Sequence, residues 1–388
     1  MNGILEVSIN NNNSSFSIND TNNNENDAFA ASLLCCSIGA GSVQLGVALD
    51  VIVVQQDNGG AVATGDFRVK FPSHHVGKSC RIMVNDVPWE GVELIVTKVG
   101  GTCKFRKGMS EKPSMEQLAT LMELLHNERN ELKYELLTAE GAIMGTASAY
   151  LFLWKSHYRI VIVDIDGTIT KSSARGVWHT VINENFEYVH MGICQFFQQV
   201  ATENTRVLYL TARNIDMAQA TRRLLAGLQQ HTFKLPPGPM MGHTGSVYTV
   251  LLSELVTQDI YQYKADSLIR QVVLVFGGAG RSATGLLFCA FGNSPTDSMA
   301  YEMAGVPLNH IYNISKSSKI HCLDKEFRNG ANEEGHAIND LSHHSAPTTR
   351  SPRNRDDYKR LFGSAYQGYD DVKLLEDVLA KKSKWGLL

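Results

Sequence analysis

No lysine or arginine precedes Arg68. The basic region of a secretory signal and the Arg-rich face of a transit peptide are therefore expected to be missing. Cysteine is sparse as well: seven residues, an odd number, with no C-x-x-C spacing and only Cys35 and Cys36 adjacent. That pattern excludes a cysteine-based zinc or disulfide framework and points to reduced thiols in a cytosolic compartment. No uninterrupted apolar run is long enough to span a bilayer, so no transmembrane helix is expected. Neither sign of charge dominates, because 36 basic residues oppose 39 acidic ones for a formal net charge of −3. A global pull on nucleic acid or anionic lipid is thereby excluded, and any such binding must be local. With 43% hydrophobic and 19% charged residues in 388, the chain can bury a sizeable core and suits two domains plus tails.

What the chain does have is the stretch RIVIVDIDGTIT, from Arg159 to Thr170. Ile160, Val161, Ile162 and Val163 form the apolar β-branched run of a buried parallel strand, and the run stops abruptly on Asp164-Ile165-Asp166-Gly167-Thr168. Two carboxylates therefore emerge at the carboxyl end of a buried strand, where open α/β sheets place their ligands. Acids so close repel unless a cation or a shared proton relieves them, and a hard divalent ion such as Mg²⁺ suits them best. An acidic turn is the bland alternative, since Asp-Gly is a common turn signal.

The amino-terminal part reads differently. Residues 1–26 are dominated by Asn and Ser and are expected to be disordered. Residues 28–38, with Phe29, Leu33 and Leu34 on one side, are expected to form a short helix. It is either an interfacial membrane anchor or a helix packed on the next domain. From Val43 the pattern turns to short alternating strands, with a hairpin signal at QQDNGG and a return strand expected at Phe67, Val69 and Phe71. Residues 114–126 carry a helical stripe of Met115, Leu118, Leu121, Met122 and Leu125. Strands are expected again around Leu132, Tyr134 and Leu136 and over residues 146–154.

Beyond Thr170 a helix is expected over residues 186–200. A second buried strand over residues 206–210 should end at Thr211-Ala212-Arg213, just before a helix start, where a hydroxyl is placed to meet a phosphate oxygen. LPPGP at 235–239 reads as a rigid extended loop, and GGAGRSATG at 277–285 as a flexible surface loop that lacks the GK[ST] of a phosphate loop. A third buried strand over residues 286–291 ends on Gly292-Asn293-Ser294-Pro295-Thr296-Asp297. A further strand is expected over residues 310–314. After Cys322 the chain becomes polar, with His343 and His344 read as solvated and a terminal helix expected over residues 370–381. Trp385 is either a packing anchor or a membrane-interface residue.

DIDGT resembles the first motif of the haloacid dehalogenase-like phosphatases, and VDIDGTITKSS resembles the lipin family of Mg²⁺-dependent phosphatidate phosphatases. LTARNIDMAQATRRLL and AFGNSPTD resemble that family's second and fourth motifs, LPPGP is also similar, and ALDVIVVQQDNGG with DFRVKF resembles its amino-terminal region. The resemblance implies an α/β fold: a Rossmann-like haloacid dehalogenase-type catalytic domain over residues 159–322. It also implies an immunoglobulin-like β-sandwich assembled from residues 43–107 and 108–158, flanked by tails at 1–42 and 323–388. It implies hydrolysis of phosphatidate to diacylglycerol and phosphate, with Asp164 as nucleophile, Asp166 as general acid/base and Thr211 holding the phosphoryl group. Lys264 falls where the family carries its third-motif lysine, although an exposed helix lysine is the competing reading. Gly167, Thr168, Arg213 and Arg222 become candidates for substrate contact, and Asp164, Asp166, Asn293 and Asp297 for Mg²⁺. Ser294 departs from the family's usual arginine. The implied substrate lies in a membrane surface, so peripheral association with the endoplasmic reticulum or nuclear membrane is expected. A non-catalytic phosphatidate sensor and a phosphatase of small soluble phosphomonoesters are the rival readings; the presence of both Asp164 and Asp166 favours an enzyme.

Overall fold

Two seven-stranded sheets carry this mixed α/β structure. The computed structural model describes residues 43–60, 62–171, 188–243, 257–323, 358 and 362–385. The expectations for residues 1–38 and for His343 and His344 lie outside the described residues. The first sheet and its cover comprise β1 (Val47–Ala48), β2 (Val51–Gln55), β3 (Val62–Thr64), β4 (Val69–Lys70), β5 (Ser79–Val84), β6 (Val87–Val96), β7 (Cys103–Phe105), α1 (Met115–Leu124), β8 (Arg129–Leu137) and β9 (Ile143–Lys155). Strand order is β3-β2-β9-β8-β5-β6-β7, with β1 and β4 as a separate ribbon. Along β5, Cys80, Ile82 and Val84 are buried while Ser79, Arg81 and Met83 are partly exposed, the alternation of a sheet with one covered face. Ser114 caps α1 in a reciprocal capping box with Gln117. Leu118 and Leu121 bury from its inner face, whereas Met115 is exposed, so the stripe is narrower than the spacing suggests.

The QQDNGG hairpin forms, but its return strand is Val62–Thr64, paired from Val53↔Thr64 to Gln55↔Val62. Phe67, Val69 and Phe71 instead enter the core beside Trp89 and Phe105, and Val69 pairs with Ala48. The physical reason is area: large aromatic groups gain more in a core than on an edge strand. Strand β2 buries both of its faces. Val51 and Val53 pack with Phe67 and Trp89, while Ile52 and Val54 share a core with Trp154 of β9 and with Leu208 and Phe276 of the second half. The period of two thus divides one strand between two cores and joins the halves.

The second half comprises β10 (Arg159–Asp164), α2 (Ile193–Val200), β11 (Thr205–Asn214), α3 (Ala218–Gly227), the hairpin β12 (Gln229–Gln230) and β13 (Phe233–Lys234), and β14 (Met240–His243). It continues with α4 (Thr257–Leu268), which runs through a π-helical turn at Ile269–Val273 into α5 (Leu274–Gly278), then β15 (Leu287–Gly292), α6 (Pro295–Met303), β16 (Ile311–Ile314), β17 (Ile320–Leu323), β18 (Phe362–Tyr366) and α7 (Val372–Lys384). Strand order is β14-β11-β10-β15-β16-β17-β18. The first five are parallel and the last two antiparallel. The chain steps outward from β10 to β11 and β14, then crosses back to β15 on the other side. Between β10 and β15 the order reverses, and such a switch point opens a crevice at the carboxyl ends of the strands.

Three expectations change here. The helix expected over residues 186–200 is helical only over Ile193–Val200; residues 186–187 are outside the described part, and Val189 makes a β-bridge to Thr170. Strand β11 continues through Thr211 and Arg213 to Asn214, which pairs with His243, so Thr211 does not adjoin a helix start. The surface loop expected over residues 277–285 is shorter, because Gly277 and Gly278 close α5 and Ala279 is buried; residues 280–285 form a largely exposed turn. After the undescribed linker, β18 adds a strand that the polar composition concealed. Trp385 stacks on His310 at 4.8 Å and meets Phe288 edge-on at 5.2 Å, so it is a packing anchor. Among the described residues, no helix is long and apolar enough to cross a membrane.

Candidate active site

Asp164 is the last residue of β10 and is buried. Its Oδ1 accepts from Lys264 Nζ at 2.7 Å, and its Oδ2 accepts from Thr168 Oγ1 at 3.1 Å. Lys264, buried on α4, also donates to Asp297 Oδ1 at 2.6 Å. The remaining Asp297 oxygen accepts from Ser294 Oγ at 2.6 Å and from the backbone N–H groups of Ser294 and Asn293 at 3.0 and 3.1 Å. Ser294 thus caps α6 and fixes Asp297, a local use for the residue found in place of the family's arginine. Burial pushes the Asp164 carboxyl up to about 7; Asp297 and Asp166 push the same way, and Lys264 opposes them. Burial alone would strip the proton from Lys264, but Asp164 and Asp297 outweigh it and raise its pKa, so it stays a cation. Asp297 resists burial through Lys264 and its hydrogen bonds, which lower its pKa.

Asp166 points to a second partner set. Arg213 grips it with two hydrogen bonds, Nε to Oδ2 at 2.7 Å and Nη2 to Oδ1 at 2.5 Å, while Thr211 Oγ1 donates to Oδ2 at 3.2 Å. The same threonine oxygen accepts from the Arg213 N–H at 3.1 Å. Gly167 turns the chain at φ +85°, and a Cβ there would stand 1.9 Å from Asn293 Nδ2. Only glycine lets the acidic loop and the Asn293 loop close on each other. Three carboxylates therefore meet two cations at the switch point, and negative charge is left over.

Asp164, Asn293 and Asp297 offer side-chain oxygen, and Asp166 adds its carbonyl, the donor type that hard divalent cations prefer. The surplus negative charge around Asp164 fits a cation on the same grounds. Among the described residues, no three His, Cys, Asp or Glu side chains converge closely enough to hold an ion, and Lys264 stands between two of the carboxylate oxygens.

Arg222 does not join this cluster. It reaches from α3 to the first half, where its Nε donates to Asp50 Oδ1 at 2.8 Å, Nη1 donates to the Ser148 carbonyl at 3.1 Å and Nη2 donates to the Ala48 carbonyl. Thr168, fully buried, faces Asp164. Two residues behind the loop escaped the sequence reading. The Tyr369 hydroxyl donates to the Thr168 carbonyl at 3.2 Å, and the buried His190 ring lies beside Tyr369 at 6.2 Å. No local pattern marks either, because each acts across a long stretch of chain.

A family model described as LNS2 (Lipin/Ned1/Smp2) matches residues 109–344. Phosphatidic acid phosphohydrolase 1 of Saccharomyces cerevisiae is 29% identical over 223 residues, covering 56% of this chain and 25% of that protein. Human phosphatidate phosphatase LPIN2 is 28% identical over 274 residues, covering 70% of this chain and 28% of its own length. Human phosphatidate phosphatase LPIN1 is 30% identical over 206 residues, covering 53% and 22%. The matched stretch thus spans less than a third of each of these relatives. With the family match extending over more than half of its length, the chain belongs to the LNS2 (Lipin/Ned1/Smp2) family.

Proposed function

We propose that this chain is a Mg²⁺-dependent phosphatidate phosphatase whose second half is a haloacid dehalogenase-type domain and whose first half is an immunoglobulin-like sandwich. The observation that carries the reading is Asp164: a buried carboxylate at the sheet's switch point, locked to Asp297 through Lys264 in a cluster with surplus negative charge. In the proposed reaction an Asp164 oxygen attacks phosphorus while the bond to the glycerol oxygen breaks, and Asp166, which enters this step protonated, gives its proton to that oxygen and is left as the carboxylate. Diacylglycerol leaves. Asp166 then takes a proton from water, whose oxygen attacks the aspartyl-phosphate and releases phosphate with Asp164 restored. Lys264, held protonated, and Arg213 place positive charge beside the reacting acids, and Thr211 orients Asp166. Mg²⁺, held by Asp164, Asn293, Asp297 and the Asp166 carbonyl, would offset negative charge on the phosphoryl oxygens. The names of the relatives support phosphatidate as substrate, which calls for peripheral binding to a cytoplasmic membrane face.

The test is phosphate release from phosphatidate in mixed micelles, with Mg²⁺ and with a chelator, for the full chain and for Asp164→Asn. Mg²⁺-dependent release that the substitution abolishes supports the proposal. Release that survives either chelation or the substitution overturns it.

A further inference from the structure

Tyr369 lies in the turn between β18 and α7, is almost fully buried, and is 201 residues distant in sequence from the Thr168 carbonyl that its hydroxyl binds at 3.2 Å. Its ring packs among Phe196 at 5.4 Å, Phe197 at 5.5 Å and Phe291 at 6.1 Å. A phenylalanine would fill that space equally well, so packing does not explain the hydroxyl. Thr168 carries the chain of contacts onward, because its own hydroxyl donates to Asp164 Oδ2 at 3.1 Å. The loop holds itself by a turn in which Ile169 and Thr170 donate to the Ile165 carbonyl at 3.0 and 3.1 Å. The Thr168 carbonyl lies outside that turn and receives its hydrogen bond from the tyrosine.

The segment that carries Tyr369 is itself held from three sides. Strand β18 pairs with β17 at Ile320↔Tyr366 and His321↔Ala365. The backbone of Asp370 lies so close to Gly192 that a Cβ there would be 2.8 Å from the Asp370 nitrogen. On α7, Lys382 donates to the Val200 carbonyl at 2.8 Å and to Thr202 Oγ1 at 2.6 Å, and Asp377 accepts from the Tyr366 hydroxyl at 2.7 Å. We infer that Tyr369 is a positioning residue for the nucleophile: by fixing the Thr168 carbonyl it sets the Thr168 hydroxyl that orients Asp164. The carboxyl-terminal strand and helix are then part of the catalytic apparatus. The inference rests on the phosphatase reading for its kinetic arm only.

The test uses the full chain with Mg²⁺ and compares Tyr369→Phe, Thr168→Val and the double variant on a soluble phosphomonoester. Loss of one hydrogen bond to the loop should lower kcat about fivefold in Tyr369→Phe while KM stays within about twofold. The double variant should be no slower than Thr168→Val alone, since both changes cut the same chain of contacts. Hydrogen exchange at Ile169 and Thr170 should quicken severalfold in Tyr369→Phe while that of β2 is unchanged. Wild-type kcat, strictly additive losses or unchanged exchange in the loop would each overturn the inference. A wild-type chain that hydrolyses neither phosphatidate nor the soluble ester would sink the phosphatase reading, and the exchange comparison would still decide the role of Tyr369.

Discussion

Two largely buried charge clusters are built on opposite principles. At the junction of the two halves, Asp50 faces Arg222, one charge against one, and both carboxylate oxygens are fully used: Oδ1 accepts from Arg222 and from the Tyr150 N–H, and Oδ2 from the Met240 N–H. At the switch point, Asp164, Asp166 and Asp297 share Lys264 and Arg213, and the Asp164 carboxyl is pushed up to about 7. Burying like charges raises the free energy of the folded state, whereas a matched and hydrogen-bonded pair limits that cost. The matched pair does structural work. Retention of the unmatched set makes sense where its charge meets something the chain does not supply.

The contrast is open to direct attack. Asp164→Asn should lower turnover by about 10³-fold or more, because it removes the proposed nucleophile. It should also leave Tm unchanged or raised, since it takes a negative charge out of an over-negative cluster. Arg222→Ala should do the reverse. Leaving Asp50 buried and unpaired should cost about 3–5 kcal/mol in urea unfolding. The kcat of the remaining folded enzyme on a soluble phosphomonoester should stay within about twofold of wild type. If Arg222→Ala unfolded like wild type and lost turnover, the division between the two clusters would collapse.

The same contrast shows what the sequence could reveal. Strand β10 and its acids were legible because a β-branched run ending on DIDGT is a local signal, and Asn293 and Asp297 were legible as the end of the next buried run. Arg222 was read as a substrate contact because it follows Arg213 in one motif. Yet α3 turns it towards Asp50, 172 residues earlier in the chain, and nothing local encodes that pairing. Lys264 left two readings open, since only the fold shows that its helix face is buried between two carboxylates. The misplaced return strand has another cause: Phe67, Val69 and Phe71 alternate as a strand should, but β4 spans only Val69–Lys70, and the alternation serves the core. Strand β18 and Tyr369 were hidden by a polar linker that gives no hint of a chain returning to the sheet.

Buried groups that remain neutral form a third class, and pH separates them from the two charged clusters. Burial pushes His190 and His310 down to about 4, against partial support from the Gly167 backbone and the Phe288 carbonyl respectively. Both are neutral in the folded chain and have their ordinary value, near 6.5, when it unfolds. Between these values the unfolded state binds the extra protons, so stability rises with pH through the window and is lost as pH falls from about 6.5 to 4. The loss should be at most about 3 kcal/mol per histidine. His310→Gln keeps a donor for the Phe288 carbonyl, which His310 Nδ1 meets at 2.7 Å, but cannot take up the proton. Urea unfolding of this variant should depend less steeply on pH across the window than that of the wild type. Equal slopes would show that His310 contributes nothing to acid sensitivity.

The smallest effect should fall on Thr211, which tests whether the unmatched cluster is tuned for turnover or merely tolerated. Its hydroxyl supplies Asp166 with one hydrogen bond beside the two from Arg213, and it is itself buried. Thr211→Ser keeps the hydroxyl and should retain turnover within about twofold. Thr211→Ala removes a single bond worth about 1 kcal/mol, so kcat should drop about fivefold. Its stability should fall by less than Arg222→Ala costs, because Arg213 still satisfies Asp166. Steady-state kinetics and urea unfolding on the same preparations separate the cases. If Thr211→Ala cost several kcal/mol of stability and left kcat intact, the switch-point cluster would be acting as the Asp50 pair does, as a structural brace.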